Sequence, residues 1–248
     1  MSVPRWLNAI TTALSVPENK GKVAYQVATI DSQNIPHVRT QIHRGFVTPR
    51  DAAHVPLLIT STDVRSPKAE QMLFNTAVEI AWWMEGSMDQ FRISGRAFII
   101  PGPDHPQYST AFSHIEKSAI LSTLTSSGET NSDSTSGSNE FDFEQKRREI
   151  FDAMRPAMKA TWYRPVAPGS VIASYDVPKG WSREVPTLEE AKTEEDKKKW
   201  HDALANFAML LIEPTKIDWV QLGEKPNRRT LFTRTDSGDG WKEEILAP

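Results

Sequence analysis

The chain contains no cysteine. Disulfides, thiolate nucleophiles, zinc ribbons and iron–sulfur clusters are excluded with it. No apolar run approaches the roughly 20 residues that a membrane-spanning helix needs. The six histidines (His37, His43, His54, His105, His114 and His201) show no H-x-x-x-H or H-E-x-x-H spacing, so they predict no metal site. An excess of either sign of charge is lacking too, with 29 Lys and Arg against 32 Asp and Glu, a formal net of -3 and a pI near 6.1. That balance argues against a general nucleic-acid or membrane-surface binder. The opening MSVPRWLNAITTAL is broken by Asn8 and holds no hydrophobic signal core. The expectation is a cytoplasmic, soluble protein long enough to bury a sizeable core, in which any anion site is local.

What is present divides into strand-like ends and a helical middle. Trp6, Leu7, Ile10 and Leu14 recur at helical spacing, which predicts a helix over 4–15. KVAYQVATID and IPHVRTQIHRGFV, joined by the polar SQN, predict a β-hairpin. A third strand is expected over 55–62, a helix over 66–74, and two strands in AVEIAWWME and QFRISGRAFII. Helices are expected in HPQYSTAFSHIEKSAILSTL, EQKRREIFDAMRPAMKATW and the charged LEEAKTEEDKKKWHDAL. FAMLLIEP, TKIDWVQLG, RRTLFTR and WKEEILAP return to strands. Strands at both ends with helices between them suggest an antiparallel barrel or sheet decorated by helices, α+β and mainly β. The chain reads as one domain over 1–248. Within it, the Ser/Thr/Gly/Asn-rich 122–139 predicts a disordered insertion, and 164–203 an irregular Pro/Gly-rich and charged segment.

Several polar groups stand out. In LLITSTDVRSPKAEQM, Ser66 suits an N-cap and Pro67 the first helical position. The free N–H groups of that helix would face Ser61, Thr62 and Arg65, with Lys68 adding charge: a local anion site, or simply a well-capped solvated turn. Arg39 and Arg44 lie five apart on an apolar strand, which places them on opposite faces unless a bulge intervenes. Gln90 stands where a turn becomes a strand, and Arg228 and Arg229 open a C-terminal strand.

Taken in order, P-H-V-R-T-x-x-x-R-G-F, T-D-x-R-S-x-K-x-x-Q, Q-F-R-I-S-G and a terminal W-x-x-x-x-L-A-P resemble the FMN-binding split-barrel family of pyridoxamine 5′-phosphate oxidase. The match is to its branch of oxidase-like proteins of mostly unassigned activity. It covers roughly 4–110 and 205–248. The resemblance implies an antiparallel split β-barrel, FMN as cofactor, and a homodimer with FMN at the interface. It implies that Arg39 and the adjoining Thr40 backbone hold the cofactor, and that Arg44 stands near flavin and substrate. Ser61 and Thr62 would contact the cofactor from a strand end. Ser66 and Lys68, with Arg65 shifted one place earlier, would bind the phosphate. Gln90 would hydrogen-bond the flavin, Trp219 would lie near it, and Arg229 would reach it from the second subunit.

The sequence departs from the oxidases in two places. Ser66-Pro67-Lys68 replaces consecutive cations at the helix start, and Lys225-Pro226-Asn227 replaces an Arg-x-His substrate motif. The expected function is therefore an FMN-binding protein, a flavin-dependent oxidoreductase on a small molecule. The alternative is a non-catalytic FMN-binding protein or a degenerate paralogue without pyridoxamine-phosphate oxidase activity. No side chain is assigned as catalytic, because the flavin itself would carry the hydride.

Overall fold

The computed structural model describes residues 3–127, 129, 141–235, 238 and 240–248. Helix α1 (Arg5–Ser15) leads into β1 (Ala24–Ile30), β2 (Pro36–Ile42), β3 (Gly45–Val47) and β4 (Leu57–Asp63). Helix α2 (Pro67–Phe74) precedes β5 (Ala77–Met84) and β6 (Asp89–Ile100). The helical middle is α3 (Tyr108–Glu116), α4 (Leu121–Ser127), α5 (Phe143–Asp152), α6 (Pro156–Lys159) and α7 (Glu194–Asn206). Strands β7 (Phe207–Gln221), β8 (Arg228–Arg234) and β9 (Trp241–Leu246) close the chain.

The strands join in one sheet of order β2-β1-β5-β6-β7-β4-β3, with β8 and β9 added beyond the second half of β7. Every ladder among the described residues is antiparallel. In β5, AVEIAWWM alternates without error, sending Val78, Ile80, Trp82 and Met84 inward and leaving Trp83 outside. That single-sided pattern marks a strand with one wet face. The end of β6 and the start of β7 instead read as continuous apolar runs, because both faces are covered there. One core fills the barrel (Trp6, Tyr25, Trp82, Phe91, Ile217 and Phe232 among others). A second lies between β4, β6, β7 and helices α3 to α5, and a third gathers Phe151, Trp162, Trp200 and Phe207.

Three expectations need correction. PHVRTQIHRGFV is not one extended strand: the chain stops pairing with β1 after Ile42, the His43 amide donates to the Val23 carbonyl, and the Arg44 amide donates to Ile59 on β4. Gly45, at φ 132°, makes that change of partner. FAMLLIEP and TKIDWVQLG form one 15-residue strand, because a register shift at Ser94/Gly95 on β6 accommodates the Pro214 position. A Cβ on Gly95 would lie 2.4 Å from the Glu213 carbonyl oxygen, so only glycine allows that approach. Finally, the helix expected to end at Leu124 is interrupted after Glu116 and resumes as α4 as far as Ser127, into the stretch expected to be disordered, with Leu121 and Leu124 fully buried in the second core. Apart from Glu129, the rest of the expected insertion lies outside the described residues. Most of 164–193 is irregular, and the charged run that follows it becomes α7.

Candidate functional site

Register divides the expected site residues between two faces of the sheet. Arg39, Val27, Ile80, Ile93, Ile217 and Phe232 stand opposite one another across β2, β1, β5, β6, β7 and β8, on the inward row. Thr40, Gln26, Ala81, Arg92, Asp218 and Leu231 form the next row, on the outward face. Because strand side chains alternate, Arg39 and Thr40 face opposite ways.

On the inward side Arg39 meets the first turns of α2. Its guanidinium donates to Thr29 Oγ1 (2.5 Å), Gln71 Oε1 (2.8 Å) and the His37 carbonyl (3.1 Å). Thr29 also donates to Gln71 (2.6 Å). All these partners are neutral. Lys68, one turn earlier on α2, makes no hydrogen bond or ion pair among the described residues. Burial and then the neighbouring Arg39 charge hold its pKa below the ordinary lysine value, with Asp63 opposing them. Burial lowers the Arg39 pKa as well. Two half-buried cations thus share a space with no carboxylate of their own, an arrangement that costs energy until an anion fills it.

Thr62 and Ser66 stand at the same helix start, their hydroxyls 3.2 Å apart. Ser66 occupies the N-cap position, but its hydroxyl donates back to the Asp63 carbonyl (2.7 Å) and leaves the α2 amides uncapped. Ser61 faces the second core side of β4, and its carbonyl accepts from Gln41 (3.3 Å). That bond, with Thr60 donating to the Ile42 carbonyl (2.7 Å), draws the two ends of the sheet together without a ladder.

Arg65 is a correction. It grips both oxygens of Asp63 (3.0 and 2.7 Å) and donates to the carbonyls of Arg164 (2.8 Å) and Trp162 (3.3 Å). A side chain so engaged is a clamp for the 162–164 segment and not a spare cation.

Arg44 sits apart, at the break between β2 and β3. It lines a 460 Å³ cleft with His43, Phe46, Ile59, Glu149 and Met154, under helix α5. Its Nε is buried without a hydrogen-bond partner, and burial lowers its pKa.

The outward group is Gln90, Arg92, Asp218 and Arg229. Arg229 holds Asp218 in a two-point pair (2.9 and 2.8 Å), Arg92 lies 3.5 Å from the same carboxylate, and Arg92 donates to Gln90 (3.2 Å). Trp219 is not brought to either group. Adjacent to Asp218, it faces inward, stacks on Phe91 (5.8 Å) and donates to Asp89 (2.9 Å). Sequence reasoning gave no role to Thr29 or Gln71. The signal for Thr29 was a hydroxyl in an inward row otherwise filled by Tyr25 and Val27; for Gln71 it was the terminal Gln of the quoted helix motif.

No group of three or more His, Asp or Glu among the described residues could hold a metal ion, and no helix is long and apolar enough to cross a membrane.

Comparison with known proteins shows what the chain is similar to. Residues 3–101 match the model of the pyridoxamine 5′-phosphate oxidase FMN-binding domain. The crystal structure of a pyridoxamine 5′-phosphate oxidase-related, FMN-binding protein from Nostoc punctiforme superposes with a TM-score of 0.68 at 22% identity, covering 100% of both chains. PhzG from Burkholderia lata, solved with tetrahydrophenazine-1-carboxylic acid, gives 0.54 at 15% identity, covering 98% of this chain and 89% of its own.

The chain is also 23% identical to pyridoxine/pyridoxamine 5′-phosphate oxidase 2 of Arabidopsis thaliana over 99% of this chain and 98% of the relative. The fold is the split barrel of these proteins, and the matched residues 3–101 span α1 to β6 of it.

Proposed function

We propose that the protein is an FMN-dependent oxidoreductase acting on a small molecule, with the FMN phosphate held by Arg39 and Lys68. The observation that carries this reading is the pair of half-buried cations beside the uncapped start of α2, with no carboxylate of their own. The residues fit the group. A phosphate monoester brings close to two negative charges, and hydrogen bonds between ionised partners are the strong kind. The start of α2 offers its Lys68 amide to the same oxygens, and the hydroxyls of Thr62 and Ser66, now bonded to each other and to the Asp63 carbonyl, would turn to meet them. Pro67 subtracts one amide from that set, but at a helix start that N–H has no other use.

FMN, when bound, supplies the two-electron hydride chemistry. The chain's own side chains bind and orient. Arg44 places a positive charge at the wall of the α5 cleft, where the small-molecule substrate would lie.

We further propose that the site is completed by a second copy of the chain. Gln90 and Arg229 lie on the outward face, and β6 is three strands from β2, roughly 14 Å at about 4.8 Å per strand. One ligand anchored at Arg39 does not reach them within a single chain, whereas the outward face of a two-fold partner brings them to it. That face also leaves Val38 70% and Trp83 40% exposed, apolar area suited to a self-complementary contact.

A second reading, an FMN-binding protein without turnover, is favoured by Lys225-Pro226-Asn227 in place of the oxidases' substrate motif. Titration with FMN, followed by the visible spectrum, tests the binding; Arg39→Ala and Lys68→Ala are expected to abolish or sharply weaken uptake. A wild-type protein that stays colourless in excess FMN rules out both readings. Turnover with oxygen and candidate amines separates them, and sedimentation across a dilution series tests the dimer.

A further inference from the structure

Two residues that line the cleft each carry a buried polar atom with no hydrogen-bond partner: Nε of Arg44 and Nδ1 of His43. His43 is only 8% exposed, and its ring packs against Phe46 (4.6 Å) and Trp82 (4.9 Å), so it is fixed in place. We infer that this cleft binds a small monocarboxylate with an apolar, ring-sized body, its carboxylate on Arg44 and a polar edge against His43.

The walls set the size and the body. At 460 Å³ the cleft falls in the small-ligand range, and Phe46, Ile59, Ile150 and Met154 give it an apolar lining. The charges set the headgroup. Arg44 has no hydrogen bond or ion pair from its side chain among the described residues, and a guanidinium matches a carboxylate in a two-point fork. Lys146, the other cation of the cleft, is already offset by Glu149 (3.6 Å) and Glu129 (3.9 Å). Arg44 is therefore the cation of the lining that has no carboxylate partner. A dianion such as a phosphate ester would set its second charge against Glu149, in the same wall. Burial also keeps the His43 imidazole neutral, which adds a hydrogen-bonding edge and no second cation.

The inference rests on the proposed function for the identity of the reaction but not for the cleft itself, and the test separates the two. The full-length protein, with FMN added, is titrated calorimetrically with benzoate, phenyl phosphate and benzyl alcohol, while FMN uptake is followed by absorbance in the same samples. Benzoate is expected to bind at least about tenfold more tightly than either of the others. Arg44→Gln is expected to weaken benzoate by about thirtyfold and benzyl alcohol by less than about threefold. His43→Phe should weaken 4-hydroxybenzoate more than benzoate. Glu149→Gln, a half-exposed change that spares the core, should narrow the gap between phenyl phosphate and benzoate. Phenyl phosphate or benzyl alcohol binding as well as benzoate overturns the inference. So does benzoate binding that Arg44→Gln leaves intact, or its absence at about 10 mM, where even a weak site of this kind would show. A protein that takes up FMN but not benzoate overturns this inference alone. One that takes up benzoate but not FMN overturns the proposed function alone.

Discussion

Arg96 and Arg234 converge on Glu213, whereas Arg39 and Lys68 converge on neutral groups. At the first site Glu213 is fully buried and accepts from both arginines and from Ser118 (2.8 Å), which in turn accepts from the Leu121 amide (3.1 Å). Both guanidiniums have a carboxylate partner, and the cluster ties β6, β7 and β8 to the α3–α4 junction. At the second site Asp63, the carboxylate that acts on Lys68, is already held by Arg65. The same kind of side chain therefore serves structure in one place and remains available to a ligand in the other. The difference lies in whether the chain itself supplies the counter-charge.

Removing the counter-charge from the closed site should produce the largest effect. Glu213→Ala leaves Arg96 and Arg234 facing each other without a partner, a loss of about 3–5 kcal/mol for a broken buried pair. Thermal unfolding should show a fall of roughly 10 °C in Tm, at about 2–4 °C per kcal/mol for a chain of this size. A Tm within a few degrees of wild type would show that the cluster is not the tie described.

At the open site, deletion should act on the ligand instead. Arg39→Ala or Lys68→Ala is expected to weaken FMN by about 10- to 100-fold, from the loss of charge-assisted hydrogen bonds worth about 1.5–3 kcal/mol each. The melting temperature of the FMN-free protein should stay level or rise with Lys68→Ala, because an unpaired, half-buried cation has been removed. A Tm loss in the FMN-free protein comparable to that of Glu213→Ala would erase the contrast between the two sites.

His43 offers a third test, on stability alone. Burial pushes its pKa down from 6.5 to about 4. Between those values the unfolded chain binds a proton that the folded chain does not, so stability falls as pH drops from 6.5 and levels off below about 4. The full difference is about 3 kcal/mol. Denaturant titrations of wild type and His43→Phe over that range should differ in slope, the variant losing less. Parallel slopes would mean that His43 charges in the folded state at its ordinary pH.

How far the sequence carried depends on how local each determinant is. The β5 alternation, the Ser66-Pro67 helix start and the apolar run of β7 are written in neighbouring residues, and the structure has them. The change of partner at His43 and Arg44 is not, because it depends on β4 lying alongside β2, some 18 residues away. Composition hid only the end of α4, 125–127, where hydroxyls follow the two leucines that dock. Lys68 stood out as a cation at a helix start, yet what makes it notable is Arg39, on another strand. Arg65 looked equally available, although Asp63, two residues before it, was the visible reason that it is not. Thr29 and Gln71 gain their place only once Arg39 lies across them.

The smallest predicted effect is also the one most particular to the open site. With its pKa held below the ordinary lysine value, Lys68 loses its proton in the folded protein before it does in the unfolded chain, near 10.4. Across that window the unfolded chain holds more protons, so the stability of the FMN-free protein gains with rising pH. FMN affinity should move the other way, since the ammonium that meets the phosphate is lost. The apparent Kd for FMN is therefore expected to climb below pH 10.4 in wild type. Lys68→Arg, which keeps its charge throughout, should flatten that part of the profile. If both proteins show the same alkaline loss, the proton belongs to another group, and Lys68 does not face the phosphate.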